Sequence, residues 1–193
     1  MQVQTTAVAG ETIVAKIIES QSAEMPDGME AYWLKEDDGT LVIILSGAIN
    51  RGPPELRDEA IYHEAREAHW FDQLRNERFA GSQAVSEGNL ESLKRDAHIL
   101  AAAEESIAFS ENGRGLSPYH ARQIEALSPS QRAGILNEGR QQHHQLVLEH
   151  LGSDALDAYV RYEETLRRAL KSADKGRSVA LDLPAERFGA YVS

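Results

Sequence analysis

The chain has 193 residues, of which 41% are hydrophobic and 26% charged, proportions that are ordinary for a soluble globular protein. Its formal net charge of -11 argues against a nucleic-acid backbone or an anionic membrane surface as the main partner. Because it contains no cysteine, a disulfide framework, a Cys-ligated zinc site and a thiol nucleophile are all excluded.

The N-terminal stretch lacks the basic and apolar regions of a signal peptide. No later segment approaches the ~20 consecutive apolar residues that a membrane-spanning helix needs. We therefore expect a cytoplasmic protein that does not act on membranes.

The first elements in chain order are a predicted helix and a predicted hairpin. In residues 11–20, isoleucine and valine recur at helical spacing, which predicts a short amphipathic helix. Residues 26–28, Pro-Asp-Gly, break the chain. Strand-like segments at 31–33 and 41–45 flank a turn signal at 36–39, so we expect a β-hairpin whose second strand is buried on both faces.

Two long helices are predicted next. Residues 50–54 end the strand and start a helix running to about Phe79, with proline in its first turn and acidic residues near its positive end. A loop at 81–89 precedes a second helix, in which apolar residues from Leu90 to Ile107 recur at spacings of three and four.

The remaining chain is predicted to be mostly helical. A Gly-Arg-Gly connector at 113–115 precedes three helical segments that begin near Ser117, Ser128 and Ser153, each serine being suited to an N-cap. Short strands are predicted at 179–181 and 191–192. The division is thus a domain at 1–112 and a helical extension at 113–193.

The first long helix carries ionisable side chains on its apolar face. His63 and Glu67 lie one turn apart on the side that also carries Leu56, Ala60 and Leu74. Burying an unpaired carboxylate costs several kcal/mol, so this pair needs a partner, a metal or an open cleft. His69 lies about 120° away from that face and is not predicted to be a ligand.

The second long helix offers a third ligand. His98 and Glu105 lie on a stripe of small residues distinct from the leucine stripe. If His98 faces the first helix, then His63, Glu67 and His98 supply two imidazoles and one carboxylate, the composition of a catalytic zinc site with a position open for water. Glu64 is then placed to accept a proton from that water. Iron or manganese also suits such a ligand set.

The string His63-Glu64-Ala65-Arg66-Glu67 resembles a variant of the helix of zincin metallopeptidases, whose usual form is His-Glu-x-x-His. In the gluzincin branch a Glu on a following helix is the third ligand, so His98 would complete the same set with two positions exchanged.

This resemblance implies an α+β fold over roughly residues 11–110, in the order backing helix, hairpin, active-site helix and third-ligand helix. It also implies a zinc cofactor and a peptide or protein substrate. The segment at 41–45 or at 46–48 would bind that substrate by strand addition. Glu105, Glu104 or Asp96 would orient His98 through its second ring nitrogen.

Other interpretations remain open. The His and Glu side chains can form a buried polar cluster neutralised by Arg66, Arg75 or Lys94, in a protein that is not an enzyme and binds a protein partner through its acidic, helical C-terminal region. A di-iron bundle requires a recurring Glu-x-x-His that the chain lacks around His63 and His98. The histidines at 143, 144 and 150 are interpreted as a mixture of solvated and packed side chains.

Overall fold

A four-stranded mixed sheet forms the N-terminal part of the protein. The computed structural model describes residues 4–8, 10–20, 25, 29–80, 85–109, 118–137 and 139–173. The strands are β1 (Gln4–Val8), β2 (Glu11–Ser20), β3 (Ala31–Lys35) and β4 (Leu41–Ser46). They lie in the order β1-β2-β4-β3, with β2 and β4 parallel and the other two pairs antiparallel.

Residues 11–20 form strand β2, so the predicted backing helix is wrong. Half of these ten residues are β-branched, and such side chains pack well on a pleated surface. Ile13 and Ala15 alternate inward, and the strand pairs with β1 on one edge and with β4 on the other. The isoleucine spacing fits both a helix and a strand, and sheet pairing decides between them.

The predicted hairpin is confirmed. Strands β3 and β4 pair antiparallel from Ala31 opposite Leu45 to Lys35 opposite Leu41. The turn uses Gly39 at φ +84°, a conformation that favours glycine, and its N–H donates to the Glu36 carbonyl at 2.9 Å. The four central residues of β4 are buried, as expected for a strand covered on both faces.

The edges of the sheet correct one further expectation. β4 is paired on both sides, so residues 41–45 cannot accept an added strand. Residues 46–48 cannot do so either, because helix α1 (Gly47–Asn50) begins there. Within the described residues, the two open edges belong to β1 and β3.

The two long helices are confirmed as α2 (Pro54–Phe79) and α3 (Glu87–Phe109). The C-terminal region contains four described helices instead of three: α4 (Pro118–Ala126), α5 (Pro129–Asn137), α6 (Arg140–Leu151) and α7 (Ser153–Ala173). The break between α5 and α6 was missed; Gly139, in extended conformation, precedes the first residue of α6. The predicted strands at 179–181 and 191–192, and the domain boundary at 112/113, lie outside the described residues.

Helix α2 separates two hydrophobic cores. Its first half packs on the sheet through Leu56, Ala60 and Ile61, and its second half packs through Trp70 and Leu74 on α3 and the C-terminal helices. His63, Glu64 and Glu67 lie between these two contact regions along the helix. No described helix is long and apolar enough to cross a membrane.

The burial of the central strand generates a stability prediction. Ile43 is 0% exposed on β4, whereas Val14 on the neighbouring β2 is 57% exposed. Ile43→Ala should lower the free energy of unfolding by about 2–5 kcal/mol in urea titration, because it leaves a cavity. The matched Val14→Ala change should cost less than about 1 kcal/mol. Equal losses in the two variants would contradict the described packing of the sheet.

Candidate metal centre

His63 lies at the centre of a polar cluster between α2 and α3. Its side chain is 1% exposed, and both of its ring nitrogens have partners. Nδ1 lies 2.6 Å from Oε2 of Glu105, and Nε2 lies 3.1 Å from Nδ1 of His98 and 3.5 Å from Oε2 of Glu67. His98 therefore faces the first long helix, which the three-ligand set required.

Three ligand-type atoms converge at this position. Nδ1 of His98 lies 2.9 Å from Oε2 of Glu67, which closes a triangle with Nε2 of His63. Zinc bonds of 2.0–2.1 Å at tetrahedral angles separate neighbouring ligand atoms by roughly 3.3 Å. The three atoms thus lie close to the spacing that a single tetrahedral metal ion requires, and the donor set fits zinc.

A second carboxylate and a third imidazole lie behind His63. Glu105 on α3 is 1% exposed, and its two oxygens contact different rings. Oε2 contacts Nδ1 of His63 at 2.6 Å, and Oε1 contacts Nδ1 of His120 at 3.2 Å. His63, Glu105 and His120 form a second group whose ligand-type atoms are close together. Because each oxygen already holds one imidazole, this group resembles the carboxylate support of a metal-binding histidine.

Glu64 is buried, which differs from the usual solvated state of a glutamate on an acidic helix. It is 5% exposed, and its Oε1 accepts a hydrogen bond from the Tyr119 hydroxyl at 3.3 Å. Burial is also the main reason that the pKa of Glu64 is raised to about 8, an effect that the nearby imidazole of His63 opposes. Glu64 thus combines burial and a hydrogen bond from Tyr119 with a pKa well above its usual value.

Charge interactions in the cluster oppose the cost of burial. Burial favours the neutral forms of Glu67 and Glu105. The neighbouring imidazoles outweigh this effect, so the pKa values of both carboxyl groups are lowered. Burial likewise disfavours protonated His63, yet Glu105 raises the pKa of His63 well above its usual value. Burial dominates at His120 and lowers its pKa. Neighbouring charges thus favour the ionised forms of Glu67, Glu105 and His63, whereas burial favours the neutral forms of Glu64 and His120.

A cleft gives access to this cluster. It has a volume of ≈ 940 Å³, and His63, Glu64, Glu67 and His98 line it together. His63 is buried in its wall, whereas the His98 side chain is 50% exposed. Strand β3 forms another side of the cleft, where the Trp33 ring N–H donates to Oε1 of Glu67 at 3.1 Å. Both oxygens of Glu67 are thus oriented.

The structure changes the assignment of the supporting carboxylates. Glu105, Glu104 and Asp96 were the carboxylates expected to orient His98, but Glu105 contacts His63. Glu104 accepts hydrogen bonds from an arginine and a tryptophan of α2, and Asp96 accepts one from another arginine. Helical spacing shows which residues share a face, but it does not show which residue of the facing helix they meet.

The cations that were considered as neutralising partners do not pair with the cluster. Arg66 binds Glu104, Arg75 is exposed, and Lys94 lies on the cleft wall. Among the described residues, no Lys or Arg is within ion-pairing distance of Glu64 or Glu67. This leaves imidazole and hydrogen-bond donors as their described partners.

Several residues of the site were missed at the sequence level. Glu59 is 1% exposed and precedes His63 by one helical turn, so the same phase argument identifies it. Tyr119 and His120 contact Glu64 and Glu105 from α4, 55 residues beyond Glu64 in the first case. Nothing in their local sequence indicates that contact.

The histidines outside the cluster include His69, His143 and His144. His69 is exposed, as expected from its position off the apolar face of α2, whereas the other two contact a carboxylate of α7. His144 contacts Glu163 through Nε2 at 2.7 Å, and His143 lies 3.6 Å from the other oxygen. Burial opposes ionisation of Glu163, but the hydrogen bonds from these two rings outweigh it and lower its pKa. Among the described residues, this group does not bring three ligand-type atoms together.

Comparison with protein-family models, with curated protein sequences and with solved structures found no match for this chain. The interpretation of the site therefore depends on its own geometry.

Glu163 provides a pH-dependent prediction. Because its pKa is lower in the folded than in the unfolded chain, its carboxylate stabilises the fold above the unfolded pKa, and this contribution is lost as the pH falls. Between about pH 6 and pH 3, the free energy of unfolding should fall more steeply for the wild type than for Glu163→Gln. Urea titrations in the presence of a chelator measure this, with Glu164→Gln as the control for losing an exposed carboxylate. Parallel pH curves for wild type and Glu163→Gln would contradict the prediction.

Proposed function

We propose that the protein is a zinc-dependent hydrolase that cleaves peptide bonds, with His63, Glu67 and His98 as metal ligands and Glu64 as the general base. The observation that carries this proposal is the convergence of the three ligand-type atoms at 2.9–3.5 Å from one another, beside a buried glutamate in the same cleft. Two imidazoles and one carboxylate leave a fourth tetrahedral position for water or substrate.

The surroundings of the three atoms suit a functional site better than a purely structural cluster. A buried ion pair is expected to be fully enclosed and neutralised. Here His98 is half exposed on a cleft wall, and among the described residues the ion-pair partners of Glu67 are the two imidazoles themselves, with no Lys or Arg beside them. A divalent cation between the ligands would balance their charge, and the cleft would give a substrate access to it.

Bound zinc would polarise the substrate carbonyl and lower the pKa of its water to roughly 7. Glu64 follows His63 directly in the chain and lines the same cleft, so its carboxylate can accept the proton from that water. The oxygen of that water would add to the carbonyl carbon, and the same carboxyl group would return the proton to the amine nitrogen as the C–N bond breaks.

The open edge of β3 supports a peptide as the substrate. The Ser46 N–H donates to the Glu30 carbonyl, so alternation along the antiparallel pair directs the backbone groups of Tyr32 and Leu34 towards β4. The backbone groups of Ala31 and Trp33 then face the open edge. An extended peptide paired there would lie along the cleft next to Glu67, since Trp33 contacts that ligand.

The first test is metal content. Protein purified without a polyhistidine tag is expected to hold about one zinc per chain, and His63→Ala or His98→Ala should remove it, because each supplies one of three ligands. His69→Ala is the matched control, since that ring is exposed on the same helix. Protein without metal, whose thermal stability chelators leave unchanged, would instead favour a non-enzymatic interaction module.

The second test concerns the base. Glu64→Gln should retain zinc and lower the rate of peptide hydrolysis by about 10²–10⁴-fold, because the amide cannot accept the proton. Glu77→Gln, which changes an exposed carboxylate further along α2, is the control. Full hydrolytic activity in Glu64→Gln would remove Glu64 from the proposed mechanism.

Backbone N-methylation of a cleaved peptide tests strand addition. Methyl groups placed at successive positions should weaken binding to the Glu64→Gln protein with a period of two, because alternate N–H groups face β3. Binding measured by calorimetry would show the pattern. A uniform effect at every position would contradict pairing at this edge.

A further inference from the structure

The first turn of α4 reaches both carboxyl groups that flank His63. Tyr119 and His120 are adjacent in sequence, and their side chains contact Glu64 at 3.3 Å and Glu105 at 3.2 Å. All four side chains belong to residues that are no more than 5% exposed. A single helical turn from the C-terminal region is therefore in contact with the carboxyl group of the residue after His63 and with the carboxyl group that contacts Nδ1 of His63.

Glu59 fixes the position of this turn. Its Oε2 accepts a hydrogen bond from the Tyr119 backbone N–H at 3.2 Å, in the first turn of α4. The first N–H groups of a helix have no partner within the helix and carry partial positive charge, so a buried carboxylate is a favourable partner for them. Helix α2 thus supplies both the anchor of α4, at Glu59, and the carboxyl group that α4 contacts, at Glu64.

The contact between His120 and Glu105 affects the orientation of His63. Glu105 uses one oxygen for each ring, so its side-chain conformation is set by both imidazoles together. The oxygen on Nδ1 of His63 leaves Nε2 of the same ring directed at His98 and Glu67. Partners of this kind typically change metal affinity or activity by about 10–100-fold when they are altered.

The hydrogen bond from Tyr119 affects the orientation of the Glu64 carboxyl group. The tyrosine ring is 0% exposed, so its hydroxyl group is held in one place by packing. Its hydrogen bond fixes one oxygen of Glu64, and the carboxyl group cannot turn away from His63 without losing that bond. This contact acts on the proposed base and not on the ligands.

We propose that α4 completes the metal site, with His120 as a positioning residue for the ligand His63 through Glu105, and Tyr119 as a positioning residue for Glu64. This inference rests on the proposed zinc hydrolase function. It gives the C-terminal helical region a role in the site itself, in place of a separate partner-binding role.

Zinc affinity of full-length His120 variants tests the first half. The side-chain N–H of Asn lies where Nδ1 of His lies, whereas that of Gln lies where Nε2 lies. His120→Asn should therefore keep the contact with Glu105 and a zinc affinity near that of the wild type, and His120→Gln should weaken zinc binding by about 10–100-fold. Competition with a chromophoric chelator measures both, and circular dichroism and thermal unfolding verify that each variant is folded.

Tyr119→Phe tests the second half. It should leave zinc affinity unchanged and lower kcat by about tenfold or more with little change in KM, because it removes only the hydroxyl that holds Glu64. Tyr62→Phe is the matched control, since Tyr62 is a buried tyrosine of α2 whose ring packs on Phe109.

The outcomes separate the two levels of the proposal. Wild-type protein that binds no zinc overturns the proposed function and this inference together. Wild-type protein that binds zinc, with equal zinc affinity in His120→Asn and His120→Gln, overturns the role of His120 alone. An unchanged kcat in Tyr119→Phe overturns the role of Tyr119. Weaker zinc binding in His120→Gln than in His120→Asn supports the role of His120, and a lower kcat at unchanged zinc affinity in Tyr119→Phe supports that of Tyr119.

Discussion

The requirement that both ring nitrogens of buried His63 have partners organises this structure. An imidazole that is 1% exposed cannot turn to water for a missing hydrogen bond, and an unsatisfied buried polar group costs about 1–3 kcal/mol. Nδ1 is satisfied by Glu105, and Nε2 faces Glu67 and His98. The ring is thereby fixed with one nitrogen inward and the other towards a cleft, which is the orientation that a metal ligand needs.

His63 finds partners for both ring nitrogens because other elements cover helix α2 on several sides. Six consecutive residues, 59–64, are buried, which does not occur on a helix with one apolar face. The sheet covers one side, α3 another, and the first turn of α4 approaches Glu59 and Glu64. The burial of Glu64 and its raised pKa both follow from this enclosure, since the carboxyl group is removed from water and the nearby imidazole of His63 offsets that cost only in part.

Local sequence patterns predicted the parts of the site that lie within one element. The spacing of four between His63 and Glu67 placed both on one face of α2, and the hairpin was predicted from its turn signal. The strand β2 was mistaken for a helix because its isoleucine spacing fits both periods, and β4, one of its two pairing partners, lies far along the chain. Contacts between elements had no local signal, which is why three carboxylates stayed open as partners of His98 and the contacts of Glu105 with His63 and His120 were not predicted.

The central claim is that a metal ion binds between α2 and α3, at His63, Glu67 and His98. Anomalous diffraction at the zinc absorption edge tests it most directly. We predict one peak, within about 2.0–2.2 Å of Nε2 of His63, a carboxylate oxygen of Glu67 and Nδ1 of His98. A peak on the opposite side of the ring, between Nδ1 of His63, Glu105 and His120, would contradict this ligand assignment. Zinc-soaked crystals with no peak between α2 and α3 would contradict the metal centre itself.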